Sequence, residues 1–513
     1  MPASFLHGVE VIEVPNGPVP VTVVKSAIIG LVGTAPAWAV QAPSTAVAPN
    51  TPALVSSALD AANFGPIVRG YTIPYALAAI QAQGAGQAIV VNVFDPNRHF
   101  TAIAATAFSF SSQGFINLGH MGVSNVVVTS NPAGTTYVVG TDYTLDSVNG
   151  VIASVPAGSG GHIAAGASVL IAFKYADPSK VADADIIGAI TSGVYTGMQA
   201  FQTTYGTMGF FPKILIAPGY SQDASVAAAL DATAKKIRAV ALVDSPPGTS
   251  AAAAITNRGV AGNTFATAST RTVLCYPQET FVDTGIVPTG VTLNASGTPL
   301  PSQFNANAVS PYSQWVAGAI AAKDLAQGYW WSPSNTPVDG MLGPDVQLYA
   351  SILDASSDTN NLNAAGIVTV FNAFGSGLRV WGNRSSAYPT SSAPDNFISV
   401  RRTMDVIEES LELAMLQFID QPISNALIDA ILASANAFIR SLIQRGALVA
   451  GAASFDPSEN PAAQIAAGQL VFDIDVMPPP PAERITFEAF IDTTLLQQLG
   501  QTSPITVAAG AIA

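Results

Sequence analysis

Residues Ser26–Gly33 read SAIIGLVG, an uninterrupted run that carries no charged side chain. Apolar runs of this kind are typical of strands buried on both faces, as in parallel sheets. A second such run, AIVVNVF at Ala88–Phe94, follows a predicted helix at Tyr75–Gln83. The order of strand, helix and strand predicts that residues 25–99 form the first part of an α/β core.

The same alternation of elements returns over residues 177–390. Helices are predicted near Asp185–Tyr205, Asp223–Arg238 and Tyr312–Gln327, and strands at Lys213–Ala217, Ala239–Val243 and Thr272–Tyr276. Such alternation favours a largely parallel sheet with helices on both faces. We therefore interpret residues 177–390 as the continuation of the α/β core.

The intervening residues 100–176 have the pattern of a small all-β domain inserted into the core. Gly-, Asn- and Pro-rich turns separate its strands, and Asn149–Gly150 is a strong hairpin signal. The predicted strands are Asn125–Thr129, Thr136–Val139, Val151–Ala153 and Val169–Phe173. A further break at Thr284–Asn307 predicts a long surface loop or a hairpin.

The clearest helices lie in residues 391–484, where we expect an α+β domain. One apolar stripe at helical spacing consists of Met404, Ile407, Leu411, Met415 and Phe418. An adjoining acidic stripe consists of Asp405, Glu408, Glu409 and Glu412. Such a stripe is either a solvated helix face or a surface for cations or a basic partner. A second helix is predicted to begin at Pro422 and to stop at Gly446.

Strands are predicted on both sides of a proline run. Residues Gly468–Met477 alternate two aspartates with apolar side chains, as a half-buried strand does, and the apolar positions are Leu470, Phe472, Ile474 and Val476. Pro478–Pro481 predicts an extended linker. The alternation then resumes at Ile485, Phe487, Ala489 and Ile491, which predicts a C-terminal strand and arm over residues 485–513.

Residues 1–24 have the pattern of an extended N-terminal arm. The alternating positions are Val9, Val11 and Glu13, followed after three prolines by Val19, Val21 and Val23. Each proline removes a backbone donor, so the arm is not a central strand throughout. It is either a frayed terminus with an edge strand or a strand that pairs with another chain.

The composition excludes several classes of protein. Charged residues make up 10% of the chain against a usual ~25%, and apolar residues 49%, which excludes an intrinsically disordered chain. Lys and Arg number 19 against 33 Asp and Glu, so no basic face for nucleic acid is expected. The mean hydropathy of +0.38 favours a surface that neighbouring subunits cover. Because we find no signal peptide and no apolar run near ~20 residues, we expect a soluble protein made in a cytoplasm.

No catalytic, cofactor or metal site is predicted. The four histidines form no metal pair, and no nucleophile-elbow, dinucleotide or phosphate-loop motif follows a strand. Asp354–Asn363 lacks the glycine and the final glutamate of a calcium loop, and Cys275 lies in an apolar strand. Trp330, Trp331 and Trp381 are interpreted as core or interface anchors rather than as a ligand platform.

Three blocks of the chain resemble contractile-tail sheath proteins of bacteriophages, a family also found in contractile bacteriocins. The first is FLHGVEVIEVPNGPVPVTVVKSAIIGLVGTAP at Phe5–Pro36. The second is NFISVRRTMDVIEESLELAMLQFIDQPIS at Asn396–Ser424, and the third is GQLVFDIDVMPPPPAERITFEAF at Gly468–Phe490. The middle of the chain agrees with the family in architecture rather than in motif.

The resemblance implies a subtilisin-like α/β core without a catalytic triad, and a structural subunit rather than an enzyme. It implies stacked hexameric rings of this chain around a tail tube protein, with baseplate and tail terminator proteins as further partners. The N- and C-terminal arms would complete a sheet in neighbouring subunits, with Leu470, Phe472, Ile474 and Val476 as acceptor positions. The acidic stripe would face the tube. The protein would be assembled in the host cytoplasm into the virion tail, with no nucleic acid bound and no direct membrane insertion.

Two other classes stay open at this point. A serine hydrolase on a subtilisin-like scaffold is the enzymatic alternative. Another self-assembling shell protein is the structural one, although tail-tube subunits are shorter and β-dominated. Secretion-system sheaths are usually split across two chains, whereas this chain carries both ends.

Overall fold

The computed structural model describes residues 20–41, 43–164, 166–372 and 375–499. The chain divides after Pro480 into a large unit and a small one, residues 481–513. The first part of the large unit contains β1 (Ile28–Gly33), β2 (Ala53–Val55), α1 (Ala58–Ala62), α2 (Ile73–Ala82) and β3 (Gln87–Asn92). Every residue of β1 is buried.

Residues 100–176 follow as strands only, apart from one short 3-10 turn. They are β4 (Phe100–Ser109), β5 (Phe115–Asn117), β6 (Val123–Ser130), β7 (Thr136–Tyr137), β8 (Tyr143–Asp146), β9 (Val151–Ser154) and β10 (Ser168–Ala176). They form two antiparallel sheets, in the orders β4-β10-β6-β7 and β5-β9-β8. Both sheets contribute to one hydrophobic cluster around Ile152 and Ile171. The predicted β-strands of this segment are confirmed.

The α/β pattern resumes after residue 176. Its first half contains α3 (Asp183–Ile187), β11 (Ile190–Thr191), β12 (Val194–Tyr195), α4 (Thr204–Met208), β13 (Ile214–Ile216), α5 (Ala224–Ile237), β14 (Val240–Asp244), α6 (Ala251–Asn257) and β15 (Thr272–Cys275). Its second half contains β16 (Glu279–Asp283), β17 (Ile286–Leu293), β18 (Pro299–Gln303), β19 (Ala306–Ser310), α7 (Ser313–Ala326), β20 (Gly343–Pro344), α8 (Asp358–Ala364), β21 (Ile367–Asn372) and β22 (Leu378–Trp381).

One eight-stranded sheet joins the two parts of the core. Its order is β2-β3-β1-β13-β14-β15-β21-β22, and its six inner strands are parallel. Leu31 lies opposite Val90 on one side and Ile216 on the other, which fixes the register. One hydrophobic cluster packs α2 and α7 on one face, and a second packs α5 on the other. The predicted parallel sheet with helices on both faces is confirmed.

The predicted helix at Asp185–Tyr205 is wrong. The chain forms the short helix α3, the hairpin β11–β12, a 3-10 helix at Gly197–Thr203 and α4 instead. Gly188 explains the first break, because its φ is 67° and a Cβ there would lie 1.8 Å from the carbonyl oxygen of Thr196. A continuous α-helix accommodates neither feature.

The break at Thr284–Asn307 forms the hairpin β17–β18, which packs against residues 100–176. The backbone N–H of Met121 donates to the carbonyl of Pro288 at 2.9 Å. Met121, Val151 and Val291 form a small hydrophobic cluster of their own. The hairpin therefore attaches the strands of residues 100–176 to the core by contacts additional to the two chain connections.

The C-terminal part of the large unit packs two long helices against a hairpin. Its elements are α9 (Ile398–Met415), α10 (Asn425–Gln444), β23 (Ala450–Ser454), α11 (Ala462–Ala466) and β24 (Asp473–Met477). The two predicted helices are confirmed, but the second begins at Asn425, with Ser424 as its N-cap, and not at the predicted Pro422. The predicted strand Gly468–Met477 is shorter than expected, since Leu470 and Phe472 precede β24.

Helix α10 corrects the expectation that no apolar segment approaches the length of a membrane span. Its 20 residues have a mean hydropathy of 1.6 in their most apolar window, and by length and composition alone it could cross a membrane. Its side toward the protein carries Phe438, Ile439 and Leu442, which pack in one cluster with Ile407 and Leu411 of α9. That packing is typical of an amphipathic helix at the surface of a hydrophobic core.

Candidate assembly interface

Three basic residues stand at the amino ends of three neighbouring strands of the large sheet. Lys213 directly precedes β13, Arg238 ends α5 just before β14, and Arg271 directly precedes β15. Because adjacent strands are about 4.8 Å apart, cations placed in this way repel one another unless acidic groups neutralise them. The acidic stripe of α9 supplies those groups.

Asp405 is the most deeply buried member of the stripe in its ion pairs. Arg271 donates to both of its oxygens at 2.6 Å, and Arg401 donates to Oδ1 at 2.8 Å. The side chain of Asp405 is 4% exposed, against 14% for Arg271. Arg271 therefore holds α9 against the sheet through a charge-assisted, bidentate contact, and Arg401, itself a residue of α9, adds a further donor to the same carboxylate.

Glu409 forms the second buried pair, with Lys213. Nζ of Lys213 donates to Glu409 Oε2 and, at 3.1 Å, to the carbonyl of Ile237. Burial lowers the pKa of Lys213, and the facing Glu409 carboxylate opposes that shift. The pair therefore keeps a charged ammonium stable in a place where desolvation disfavours it.

Glu408 and Glu412 are more exposed, and both contact Arg238, while Glu408 also accepts from Arg401 at 3.0 Å. Arg238 donates to Glu412 Oε1 at 2.6 Å, and its Nε lies 3.4 Å from Glu408 Oε2. Contact with Glu412 raises the pKa of Arg238. The side chains of Glu408 and Glu412 are 36% and 60% exposed.

These contacts correct one expectation from the sequence. Asp405 and Glu409 are buried against the chain's own core, so they do not belong to an exposed face that meets a tube. The four carboxylates follow one another along α9 at intervals of three, one and three residues, so they lie on one side of the helix. The tube-facing role expected for the stripe is therefore wrong for Asp405 and Glu409, and for the more exposed Glu408 and Glu412 it stays a prediction.

A fourth ion pair joins α9 to another layer of the core. Both terminal nitrogens of Arg402 donate to Asp324 of α7, at 2.6 and 2.7 Å, and Nη2 also donates to the carbonyl of Ser26. The Arg402 and Asp324 side chains are 4% and 1% exposed. Sequence reasoning missed the basic partners Lys213, Arg238 and Arg271, although each stands next to a predicted buried strand.

The hairpin β23–β24 has one covered edge and one open edge. Asn436 of α10 exchanges two hydrogen bonds of 2.9 Å with the backbone of Ala453, which covers the outer edge of β23. Those backbone groups of Ala453 point away from β24, so Ala453 and its partner Ile474 form a non-hydrogen-bonded pair. By alternation, the N–H and C=O of Ile474 and Val476 point to the outer edge of β24.

That outer edge has no strand beside it in the described part of the chain, because β23 and β24 form a two-stranded sheet. Ile474 and Met477 are 43% and 39% exposed. Unpaired backbone groups beside exposed apolar side chains make this edge a template for another strand. Two of the four expected acceptor positions, Ile474 and Val476, therefore lie in a strand with an open edge.

The small unit contains the segment Ile485–Ile491, which was predicted to be a strand and is not one in the structure. Residues 478–492 form neither helix nor strand, and a 3-10 turn follows at Thr493–Gln498. Its apolar side chains are open to solvent: Ile485 is 71%, Phe487 90%, Phe490 83% and Ile491 97% exposed. Apolar side chains at this density and exposure mark an interaction segment.

The N-terminal arm lies only partly within the described residues. Val9, Val11, Glu13 and Val19 lie outside them. Val21 and Val23 pack against the hydrophobic cluster of α9, α10 and the hairpin, and the N–H of Val24 donates to Ser410 Oγ at 3.1 Å. The base of the arm is therefore fixed on the C-terminal helices.

The three described histidines offer no nucleophile–base pair. His99 accepts from the N–H of Asp95 and faces Asp185 at 3.4 Å, His162 bonds to Asp142, and His120 stacks on Tyr175. The fourth histidine, His7, lies outside the described residues. No group of three or more metal-ligating side chains occurs within the ranges that the structure describes.

One buried carboxylate lies among hydroxyl groups at the carboxyl end of β14. Asp244 Oδ2 accepts from Ser221 and Ser313 at 2.7 and 2.6 Å, and burial raises its pKa to about 6.

Trp330 packs on Tyr329, and Trp381 packs on Phe371, which agrees with a role in packing. Cys275 is fully buried, and burial raises the pKa of its thiol.

Family models match most of the chain's second half. The phage tail sheath protein central domain matches residues 193–386, and the phage tail sheath C-terminal domain matches residues 390–492. A model for a protein family of unknown function matches residues 101–183.

Named relatives point to the same family. The tail sheath protein of Burkholderia phage BcepMu is 44% identical over 503 residues, which cover 97% of this chain and 99% of the relative. The tail sheath protein of Escherichia phage P2 is 27% identical over 316 residues, 61% of this chain and 72% of that protein.

Solved structures share the fold at low sequence identity. The sheath of the anti-feeding prophage in its contracted state has a TM-score of 0.55 at 16% identity, covering 96% of this chain and 100% of that one. The contracted sheath of an extracellular contractile injection system, PVC, has a TM-score of 0.54 at 15% identity, with the same coverage. This chain belongs to the phage tail sheath protein family and is a structural subunit of a contractile tail sheath.

Proposed function

We propose that copies of this chain stack as hexameric rings into a helical sleeve around a tail tube. Shortening of the sleeve then drives the tube through the host envelope. The observation that carries the proposal is that the chain has both an open strand edge and an exposed apolar arm. The open edge is that of β24 at Ile474 and Val476, and the arm is Ile485–Ile491.

The two features fit each other as the two sides of a strand addition. The edge offers N–H and C=O groups at every second residue, and the arm alternates Ile485, Phe487, Ala489 and Ile491. In strand addition, main-chain hydrogen bonds supply affinity and alternate side chains supply specificity. The arm of one subunit therefore adds to β24 of a neighbour, and the N-terminal arm, Val9–Val23, supplies a further strand.

Contraction needs rigid subunits and compliant connections. The ion pairs of α9 with Arg271 and Lys213, and the pair of Arg402 in α9 with Asp324 in α7, hold the C-terminal helices on the α/β core. Pro478–Pro481 and the N-terminal arm lead to the paired strands and act as the hinges. A gain of a few kcal/mol per subunit, repeated through the lattice, makes contraction effectively irreversible.

The tail tube, baseplate and tail terminator proteins are the partners that we propose for the sleeve. Glu408 and Glu412 keep exposed carboxylate surface and remain the candidate tube-facing residues. Exposed pairs contribute about 0–1 kcal/mol each, which suits a contact that must release. Charge reversal of both residues to Lys should impair tube-templated assembly, and unchanged assembly would remove them from the tube contact.

We infer further that the core is a subtilisin-like scaffold without catalysis, and that residues 100–176 form a separate outer domain. No nucleic acid and no direct membrane insertion are required, and assembly in the host cytoplasm precedes incorporation into the tail. The arrangement of the described histidines supports a non-enzymatic role. Labelling of a serine by a fluorophosphonate probe would contradict it and restore the hydrolase alternative.

Negative-stain electron microscopy of three chains tests the assembly. The full chain should form long hollow tubes, and chains that lack residues 1–19 or residues 485–513 should not. Deletion from residue 20 onward is avoided because Val21 and Val23 pack in the C-terminal cluster. Tubes from both truncated chains would refute strand addition by the arms, and a monodisperse full-length monomer would refute self-assembly.

A further inference from the structure

A groove lies between the base of the N-terminal arm and α9, and we call it the α9 groove. Its walls are Val23, Lys25, Phe210, Leu413, Ala414 and Gln417, and it encloses about 520 Å³. Val23, Phe210 and Leu413 are only half-buried. The groove is therefore a preformed, mostly apolar recess that the large unit leaves open.

The small unit carries a matching apolar element, the leucine turn at Thr493–Leu499. The side chain of Asp492 caps this turn by accepting from the N–H of Thr494 at 2.9 Å. Leu495, Leu496 and Leu499 are 59%, 62% and 76% exposed. Burial of exposed apolar side chains is favourable, so a surface that covers these three leucines stabilises the turn.

We propose that the α9 groove receives the leucine turn of a neighbouring copy of this chain. The inference rests on the proposed function, because the strand addition brings the turn to its place. Val476 of β24 and Val23 of the groove wall pack against the same hydrophobic cluster. A neighbour's strand that pairs along β24 at Ile485–Ile491 therefore delivers the following turn beside the groove.

Charge at the groove rim agrees with this occupant. Lys25 is exposed, with Nζ 4.2 Å from the centre of the Phe210 ring, and it has no acidic partner among the described residues. Asp492 stands at the start of the leucine turn, where its carboxylate can approach the ammonium as the leucines enter. The contact buries the apolar faces of both segments and pairs the charge at their border.

Cross-linking between two differently tagged chains tests the proposal. One chain carries Ala414→Cys in the groove, and the other carries Leu495→Cys. Both variants are mixed with excess wild-type chain in one assembly, so that tubes form. Cys275 is buried and does not interfere. Oxidation should give a dimer that contains both tags and disappears on reduction. The matched control replaces Ala414→Cys with Ala433→Cys on the exposed side of α10, and it should give no such dimer.

The failure of this inference is distinguishable from failure of the proposed function. A second pair, Ile474→Cys with Phe487→Cys, reports the strand addition itself. Tubes in which this pair cross-links and the groove pair does not would overturn the groove assignment alone. A cross-link confined to one chain that carries both Ala414→Cys and Leu495→Cys would place the chain's own turn in the groove and overturn the neighbour. If the wild-type chain forms no tubes, the proposed function itself is wrong.

Discussion

Arg271 donates two parallel hydrogen bonds of 2.6 Å to the two oxygens of Asp405, across 134 residues of sequence. The arginine precedes a central strand of the parallel sheet, and the aspartate lies in the middle of α9. This contact fixes the C-terminal helices on the α/β core. The acidic stripe has the pattern of a solvated surface, but at Asp405 it forms a buried contact between two parts of the subunit.

Asp405→Asn should destabilise the chain strongly. The substitution leaves the guanidinium group of Arg271, which is 14% exposed, without its carboxylate, and it leaves Arg401 paired with Glu408 alone. Removal of one partner from a buried ion pair costs about 3–5 kcal/mol. Urea denaturation followed by tryptophan fluorescence measures the loss.

The matched variant Glu412→Gln removes a carboxylate that is 60% exposed, and it should cost no more than about 1 kcal/mol. Equal losses in the free energy of unfolding for the two variants would contradict the assignment of Asp405 as a buried ion-pair partner between α9 and the core.

The fold was predictable where the sequence pattern is local. Runs such as Ser26–Gly33 and Ala88–Phe94 carry enough consecutive apolar residues to identify buried strands, and β1 and β3 lie there. The segment at Asp185–Tyr205 was predicted wrongly because it contains Gly188, Gly193 and Gly197, and the positive φ of each ends a helix. Backbone conformation at a single glycine is not encoded in periodicity.

The candidate interface was less predictable, for a physical reason. Periodicity shows that Asp405 and Glu409 share a helix face, but not whether that face meets water or a row of distant cations. Lys213 and Glu409 are 196 residues apart, so only the tertiary fold brings them together. The cover that Asn436 gives to the outer edge of β23 was equally hidden, although Ile474 and Val476 of β24 had been expected as acceptor positions.

Glu279→Gln should stabilise the chain at neutral and alkaline pH. Glu279 is fully buried in the core, and neither of its carboxyl oxygens has a hydrogen-bond partner in the described structure. Burial raises its pKa well above the usual value, so the folded state holds a proton that the unfolded state releases above about pH 4.3. The stability that this proton contributes is present at low pH and is lost as the pH rises toward the folded-state pKa.

Urea midpoints measured at pH 5 and pH 8 test this sign. The wild-type chain should lose more stability between the two pH values than Glu279→Gln does, since glutamine has no proton to release. The exposed Glu459→Gln variant is the matched control and should keep the wild-type difference. An unchanged pH dependence in Glu279→Gln would show that the carboxyl is not neutral in the folded chain.

Ile474→Pro should abolish tube assembly while the monomer stays folded. The N–H of Ile474 points to the outer edge of β24, where it has no partner within the described residues, and proline is tolerated at such edge positions. In the assembled sheath the same N–H is needed for the added strand. Electron microscopy measures assembly, and thermal unfolding of the monomer measures the fold.

The matched variant for this test is Ile474→Val, which keeps the backbone donor and the β-branched side chain. It should form tubes as the wild type does. Tubes from Ile474→Pro would contradict the use of this edge. A large drop in the monomer's melting temperature would show that the N–H serves the fold itself.

Gly297→Ala should detach the hairpin β17–β18 from the strands of residues 100–176. A Cβ at Gly297 would lie 2.1 Å from Cζ of Phe115, so the ring or the hairpin has to move. Gly446 is a matched control because it has the same φ of +77° and no atom within 4 Å of its Cβ position. Both substitutions carry the backbone cost of about 1–2 kcal/mol, and only Gly297→Ala adds an overpacking cost of about 1–3 kcal/mol.

Hydrogen exchange should therefore accelerate over residues 286–303 in Gly297→Ala, whereas Gly446→Ala leaves that segment protected. Phe115→Leu, which shortens the clashing side chain, should restore part of the protection. Unchanged exchange in Gly297→Ala would show that the hairpin does not hold these strands on the core.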